Sequence, residues 1–76
     1  AKLPIVRAEE VLKALLKVGF YIHHQTGSHV RLFHETKLDL NITIPIHSKD
    51  IPRGTLKRIL KQAGLSTEEF LRLLKD

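Results

Sequence analysis

Cysteine is absent from the 76 residues, which excludes disulfides, thiolate nucleophiles and thiolate metal sites at once. No run approaches the ~18 continuous apolar residues of a membrane span. The opening Ala1-Lys2-Leu3-Pro4 is too short and broken to read as a signal peptide, so the expected class is a soluble protein of the cytoplasm. Aromatics are scarce, with one Tyr, three Phe and no Trp. Of these only Tyr21 reads as an exposed stacking platform, which argues against a single-strand binder built on several aromatics. A chain this short buries only about 60% of its unfolded surface on folding, so neither an enclosed cavity nor a small-molecule cofactor is expected. Any site should be an open face or shallow groove. Repeats, low-complexity stretches and linkers are lacking as well, and residues 1–76 read as a single domain.

What the chain does have is positive charge. Thirteen Lys and Arg stand against eight Asp and Glu, a net +5 with neutral His and a pI near 9.9, which favours a polyanionic partner. The excess is concentrated. Within 49–61, Lys49, Arg53, Lys57, Arg58 and Lys61 oppose Asp50 alone, a local net of +4.

Periodicity predicts the elements. Segment 7–18 reads as a helix, with Val11, Leu12, Leu15, Leu16 and Val18 on one face and Gly19 as its stop. From Phe20 the period becomes two: Phe20, Ile22 and His24 alternate with Tyr21 and His23. Thr26-Gly27-Ser28 reads as a turn in which glycine permits positive φ. His29–His34 is a second strand with Val30 and Leu32 inward. Leu38, Leu40, Ile42, Ile44 and Ile46 mark a third, ended or edged by Pro45. Asp50 and Pro52 open a further helix that Gly64 closes, with a Leu56, Ile59, Leu60, Ala63 stripe. Ser66 and Glu69 form a capping box for a last helix carrying Phe70, Leu71, Leu73 and Leu74. The expected class is α+β: α-β-β-β-α-α, with helices covering one face of a three-stranded antiparallel sheet.

If Val30 and Leu32 face Ile44 and Ile42, the partners' numbers sum to 74. His29 then sits opposite Pro45, and Gly27 opposite His47. Odd-numbered residues point away from the helices, which gathers His23, His29 and His47 on the open face; His24 and His34 fall on the inward parity. Three histidines admit zinc, yet no carboxylate or cysteine is placed to help. They also suit acid–base chemistry, because imidazole takes and returns a proton near neutrality. Metal-free RNA cleavage needs a base for the 2′-hydroxyl, an acid for the departing 5′-oxygen, and cations near the phosphate. Arg53, Lys57 and Lys61 recur at i, i+4, i+8, a stripe about 12 Å long, beside the backbone N–H groups of Pro52-Arg53-Gly54-Thr55. Such a clamp would hold a phosphate backbone without reading sequence.

The chain resembles the HicA toxins of prokaryotic toxin–antitoxin pairs. The resemblance runs from Leu3-Pro4 through Gly19-Phe20, Gly27-Ser28-His29 and Pro45-Ile46-His47 to the block Gly54-Thr55-Leu56-Lys57-Arg58-Ile59-Leu60-Lys61-Gln62-Ala63-Gly64-Leu65-Ser66. It implies a double-stranded-RNA-binding-domain-like fold, a ribosome-independent mRNA interferase whose essential histidine falls at His29, and a cognate HicB antitoxin covering the active face. Family members often carry basic residues before Gly-Ser-His, where this chain has His24-Gln25-Thr26. On this reading His29 is the general base or acid, His47 a second proton-transfer group and Ser28 an orienter or phosphate donor. Arg53, Lys57 and Lys61, with Lys49, Arg58 and Gly27, form the RNA-binding set; the partners are mRNA and the antitoxin, and no metal is assigned. A catalytically silent RNA-binding module and a protein-interaction domain are the alternatives.

Overall fold

A computed structural model describes residues 2–46 and 50–75. The elements run α1 (Ala8–Leu16), β1 (Phe20–Gln25), β2 (His29–His34), β3 (Asn41–Pro45), α2 (Arg53–Ala63) and α3 (Thr67–Lys75), the expected order of an α+β fold. The strands form one antiparallel sheet in the order β1-β2-β3.

In α1, Ala8, Val11, Ala14 and Leu15 are buried, and Glu9 and Glu10 occupy the first turn, where the helix dipole favours acids. The helix is shorter than its apolar pattern suggests. It ends at Leu16, and Gly19, at φ +98°, turns the chain into β1. In α2, Leu56, Ile59, Leu60 and Ala63 are buried. Gly64 at φ +72° closes it in a Schellman motif: Leu65 N–H donates to Leu60 O at 3.0 Å and Gly64 N–H to Lys61 O at 3.2 Å. Asp50 does not open this helix. Pro52 flanks its first turn, and Ile51 is drawn into the core, its N–H donating to Val6 O at 2.7 Å. The capping box of α3 forms as expected: Glu69 N–H donates to Ser66 Oγ at 3.1 Å, and Ser66 N–H to Glu69 Oε1 at 2.9 Å.

The β2–β3 register is the one that sums to 74: His29 faces Pro45, Val30 faces Ile44, and Leu32 faces Ile42. A one-residue slip of β3 would turn Ile42 and Ile44 toward water, so burial of one face excludes it. These aliphatics pack with the buried faces of α1 and α2 and with Phe70 of α3 in one cluster. Leu38 departs from the expected third strand. It is 84% exposed in a turn that Leu40 N–H closes onto Lys37 O, and pairing starts only at Asn41.

Strand β1 departs further. Ile22 pairs with Leu32, but the next paired residue is His24, with Arg31, so His23 is the extra residue of a β-bulge. The bulge reverses the parity beyond it. His24, expected inward, is exposed and paired with the exposed Arg31; Gln25 takes the place opposite buried Val30. Phe20 alone is buried on this strand.

Candidate active site

The turn joining β1 to β2 is held by Thr26. Its N–H donates to His29 O at 2.9 Å, closing the hairpin, and its Oγ1 accepts from His29 N–H at 3.1 Å. The same hydroxyl oxygen lies 3.4 Å from Ser28 N. A threonine two residues ahead of Ser28 is an ST-turn signal, and reading it as such would have singled Thr26 out. On the other side Ile46 N–H donates to Ser28 O at 2.8 Å, tying the turn to the end of β3. Pro45, opposite His29, has no N–H for the ladder, and regular pairing stops there.

This frame fixes the backbone on which Ser28 and His29 stand. Ser28 is half-buried and His29 exposed, and Ser28 Oγ lies 2.9 Å from His29 Nδ1. The contact couples the hydroxyl to the imidazole tautomer. With the hydroxyl donating, Nδ1 holds the lone pair and Nε2 carries the proton; with Nδ1–H donating, Nε2 holds the lone pair. With Nδ1–H donating to the hydroxyl, Nε2 is a base in the neutral ring and carries the acidic proton in the imidazolium.

Gly27 is not in the positive-φ conformation expected of it, and a Cβ placed there would meet no heavy atom of the described residues within 4 Å. Among the described residues, neither conformation nor crowding calls for glycine at this position. Gly19 is the opposite case, since its added Cβ would lie 2.7 Å from His34 Nε2. His34 is buried and satisfied, as its parity suggests: Nδ1 accepts N–H from Thr36 at 3.1 Å and Lys37 at 3.0 Å, and Nε2–H donates to Val18 O at 2.8 Å. Its role is structural.

The other described histidines, His23 and His24, lie on β1. His23 lies flat on Phe33, ring centroids 3.9 Å apart and planes 11° from parallel. Among the described residues no three His, Cys, Asp or Glu side chains are grouped to hold a metal. His47 and Lys49, and with them the pairings of His47 with Gly27 and His29, lie outside the described residues. Arg53, Lys57, Arg58 and Lys61 are all exposed on α2. Arg53 Nε donates to Leu3 O at 2.9 Å, and Arg53 and Lys57 share a shallow depression with Gly54, Leu3 and Thr67. The fold brings Ser28 and His29 into contact. The cations belong to the helical layer, and no hydrogen bond or ion pair among the described residues joins them to the turn.

The model of one family, described as the HicA toxin of bacterial toxin–antitoxin systems, matches residues 8–65, from the start of α1 to the residue closing the Schellman motif. The match takes in the Thr26–His29 turn and the whole basic stripe. No curated protein matches the chain.

Proposed function

The chain belongs to the HicA toxin family, so it is the toxin of a toxin–antitoxin pair, of nuclease type and with a HicB-type antitoxin as partner, and we propose that it is a metal-independent mRNA endoribonuclease of the cytoplasm in which His29 is the general base or acid. The observation that carries this reading is the exposed His29 imidazole, its Nδ1 2.9 Å from Ser28 Oγ on a turn braced by Thr26. Unperturbed imidazole is the side chain suited to both proton transfers near neutral pH. A base takes the 2′-hydroxyl proton, the 2′-oxygen attacks phosphorus, and the 5′-oxygen leaves with a proton from an acid. A 2′,3′-cyclic phosphate and a 5′-hydroxyl result. His29 fills one of these roles and His47 is the candidate for the other. Ser28 selects the His29 tautomer.

Arg53, Lys57 and Lys61 hold the phosphate backbone on one side of the scissile bond, with Arg58 and Lys49 adding to the field. Gly27, which none of the described residues crowds, leaves room for close approach of the RNA backbone. Incubation of a defined mRNA with purified wild type and His29→Ala, without ribosomes, tests the reading. Fragments are expected from wild type alone, whereas RNA binding without cleavage by either protein would leave a silent RNA-binding module.

A further inference from the structure

The open sheet face carries a second feature that the proton chemistry at His29 does not use. His23 stacks in parallel on Phe33, Tyr21 meets the Phe33 ring edgewise at 6.5 Å and 69°, and the Arg31 guanidinium carbon lies 5.9 Å from the Phe33 ring centre. Asn41 Oδ1 accepts a hydrogen bond from Arg31 Nη2 at 3.2 Å and steadies it there. His23, Tyr21 and Arg31 are exposed and Phe33 half-buried. The bulge is what makes the arrangement, because it removes His23 from the ladder and lets its ring lie over the neighbouring strand's aromatic.

We propose that this face binds an unpaired stretch of RNA, with one nucleobase stacking on the outer face of the His23 imidazole and the strand's backbone passing Arg31 to reach His29. The inference rests on His29 as the cleavage site and adds to it that the substrate is single-stranded beside the scissile phosphate. Three observations select that occupant. The ring pair sits at base-stacking distance and already layers a heteroaromatic ring on a phenyl, and every nucleobase has a π-face to extend it. His29, Arg31 and Phe33 alternate along one strand and so share one face, with His29 and Phe33 about 13 Å apart, which continues the site rather than starting another. The three strands carry no carboxylate, and Arg31 is their one Lys or Arg, so an anionic strand meets attraction without repulsion.

The test measures binding on a His29→Ala background in EDTA, so that the RNA stays intact. The probes are a single-stranded oligoribonucleotide with one 2-aminopurine and a blunt duplex of the same sequence. His23→Ala is expected to weaken single-strand affinity about 5- to 150-fold and to abolish the 2-aminopurine quenching, with duplex affinity unchanged. His23→Phe should restore both, which a loss of folding would not allow. Unchanged single-strand affinity, or an equal loss for both probes, overturns the proposal. So does unchanged RNA affinity with weakened self-association in sedimentation, which would make the face a contact between copies. Cleavage of the single-stranded probe by His29→Ala would refute the assignment of His29 and with it the path of the strand to that residue, whatever the affinities.

Discussion

Gly27→Ala separates what the fold needs from what the RNA needs. At Gly27 the backbone is not in the left-handed region, and a new methyl group meets none of the described residues within 4 Å. The substitution should therefore leave the folded state unstrained and narrow the unfolded ensemble, stabilising the protein by about 0.4–1 kcal/mol. For a domain of this size that is a rise in Tm of roughly 2–8 °C. If the RNA backbone lies against the turn, the same methyl group displaces it, and a misplacement on the order of 1 Å costs about 10²-fold in rate. Thermal unfolding and single-turnover cleavage of one RNA, measured side by side, read both effects. Gly19→Ala is the counterpart. A Cβ there combines a φ of +98° with a 2.7 Å approach to His34 Nε2, whose bond to Val18 O it breaks. Left-handed strain of about 1–2 kcal/mol and a severed buried hydrogen bond of about 1–3 kcal/mol add to about 2–5 kcal/mol lost. A stabilised Gly27→Ala that cleaves at the wild-type rate refutes the claim that RNA approaches the turn. A destabilised Gly27→Ala refutes the claim that the fold leaves that position free.

Three further outcomes follow from single contacts. Ser28→Ala should lower kcat by about tenfold or more with little change in KM, because the hydroxyl at His29 Nδ1 sets the tautomer and not substrate binding; pre-steady-state kinetics separate the two. Replacing Arg53, Lys57 or Lys61 by Ala should each reduce the slope of log K against log salt by about 0.7–0.9 without changing cleavage preference, measured by RNA titration at several salt concentrations. The Ser66 backbone N–H, with the Ser66 hydroxyl beside it, holds the Glu69 carboxyl below its ordinary 4.5. A depressed folded-state value means that this cap stabilises fully above pH 4.5 and is lost as pH falls through the lower, folded value. Amide exchange at Phe70 should quicken over that acid range in wild type and show no such limb in Glu69→Gln.

Much of this architecture could be read from residue spacing, and the exceptions have physical causes. The β2–β3 register was legible because two aliphatics on each strand at period two sit directly opposite one another in it, and a one-residue slip would expose one strand's pair. Gly64 and the Ser66–Glu69 pair announced helix ends because their chemistry is local. The bulge at His23 was not legible, since it arises from how β1 meets β2 and leaves no mark on the pattern of β1 alone. It reversed the facing of His24 and Gln25 and produced the His23–Phe33 stack, so the aromatic surface is larger than Tyr21 alone. Leu38 misled for the converse reason: its apolar alternation continues the strand pattern, while the Lys37–Leu40 hydrogen bond ends pairing before it. At the candidate site, the Gly-Ser-His triplet pointed to Ser28 and His29, and the structure adds Thr26 as the group that braces them.

The central claim is that His29 moves protons for a reaction needing no metal. The most direct measurement is the rate of cleavage of a defined RNA in excess EDTA by wild type and His29→Ala, with the product ends identified. The account predicts cleavage by wild type to a 2′,3′-cyclic phosphate and a 5′-hydroxyl, and a loss of about 10²–10⁴-fold in the variant. An undiminished rate in His29→Ala, or a wild-type activity that EDTA abolishes and a divalent cation restores, would contradict it.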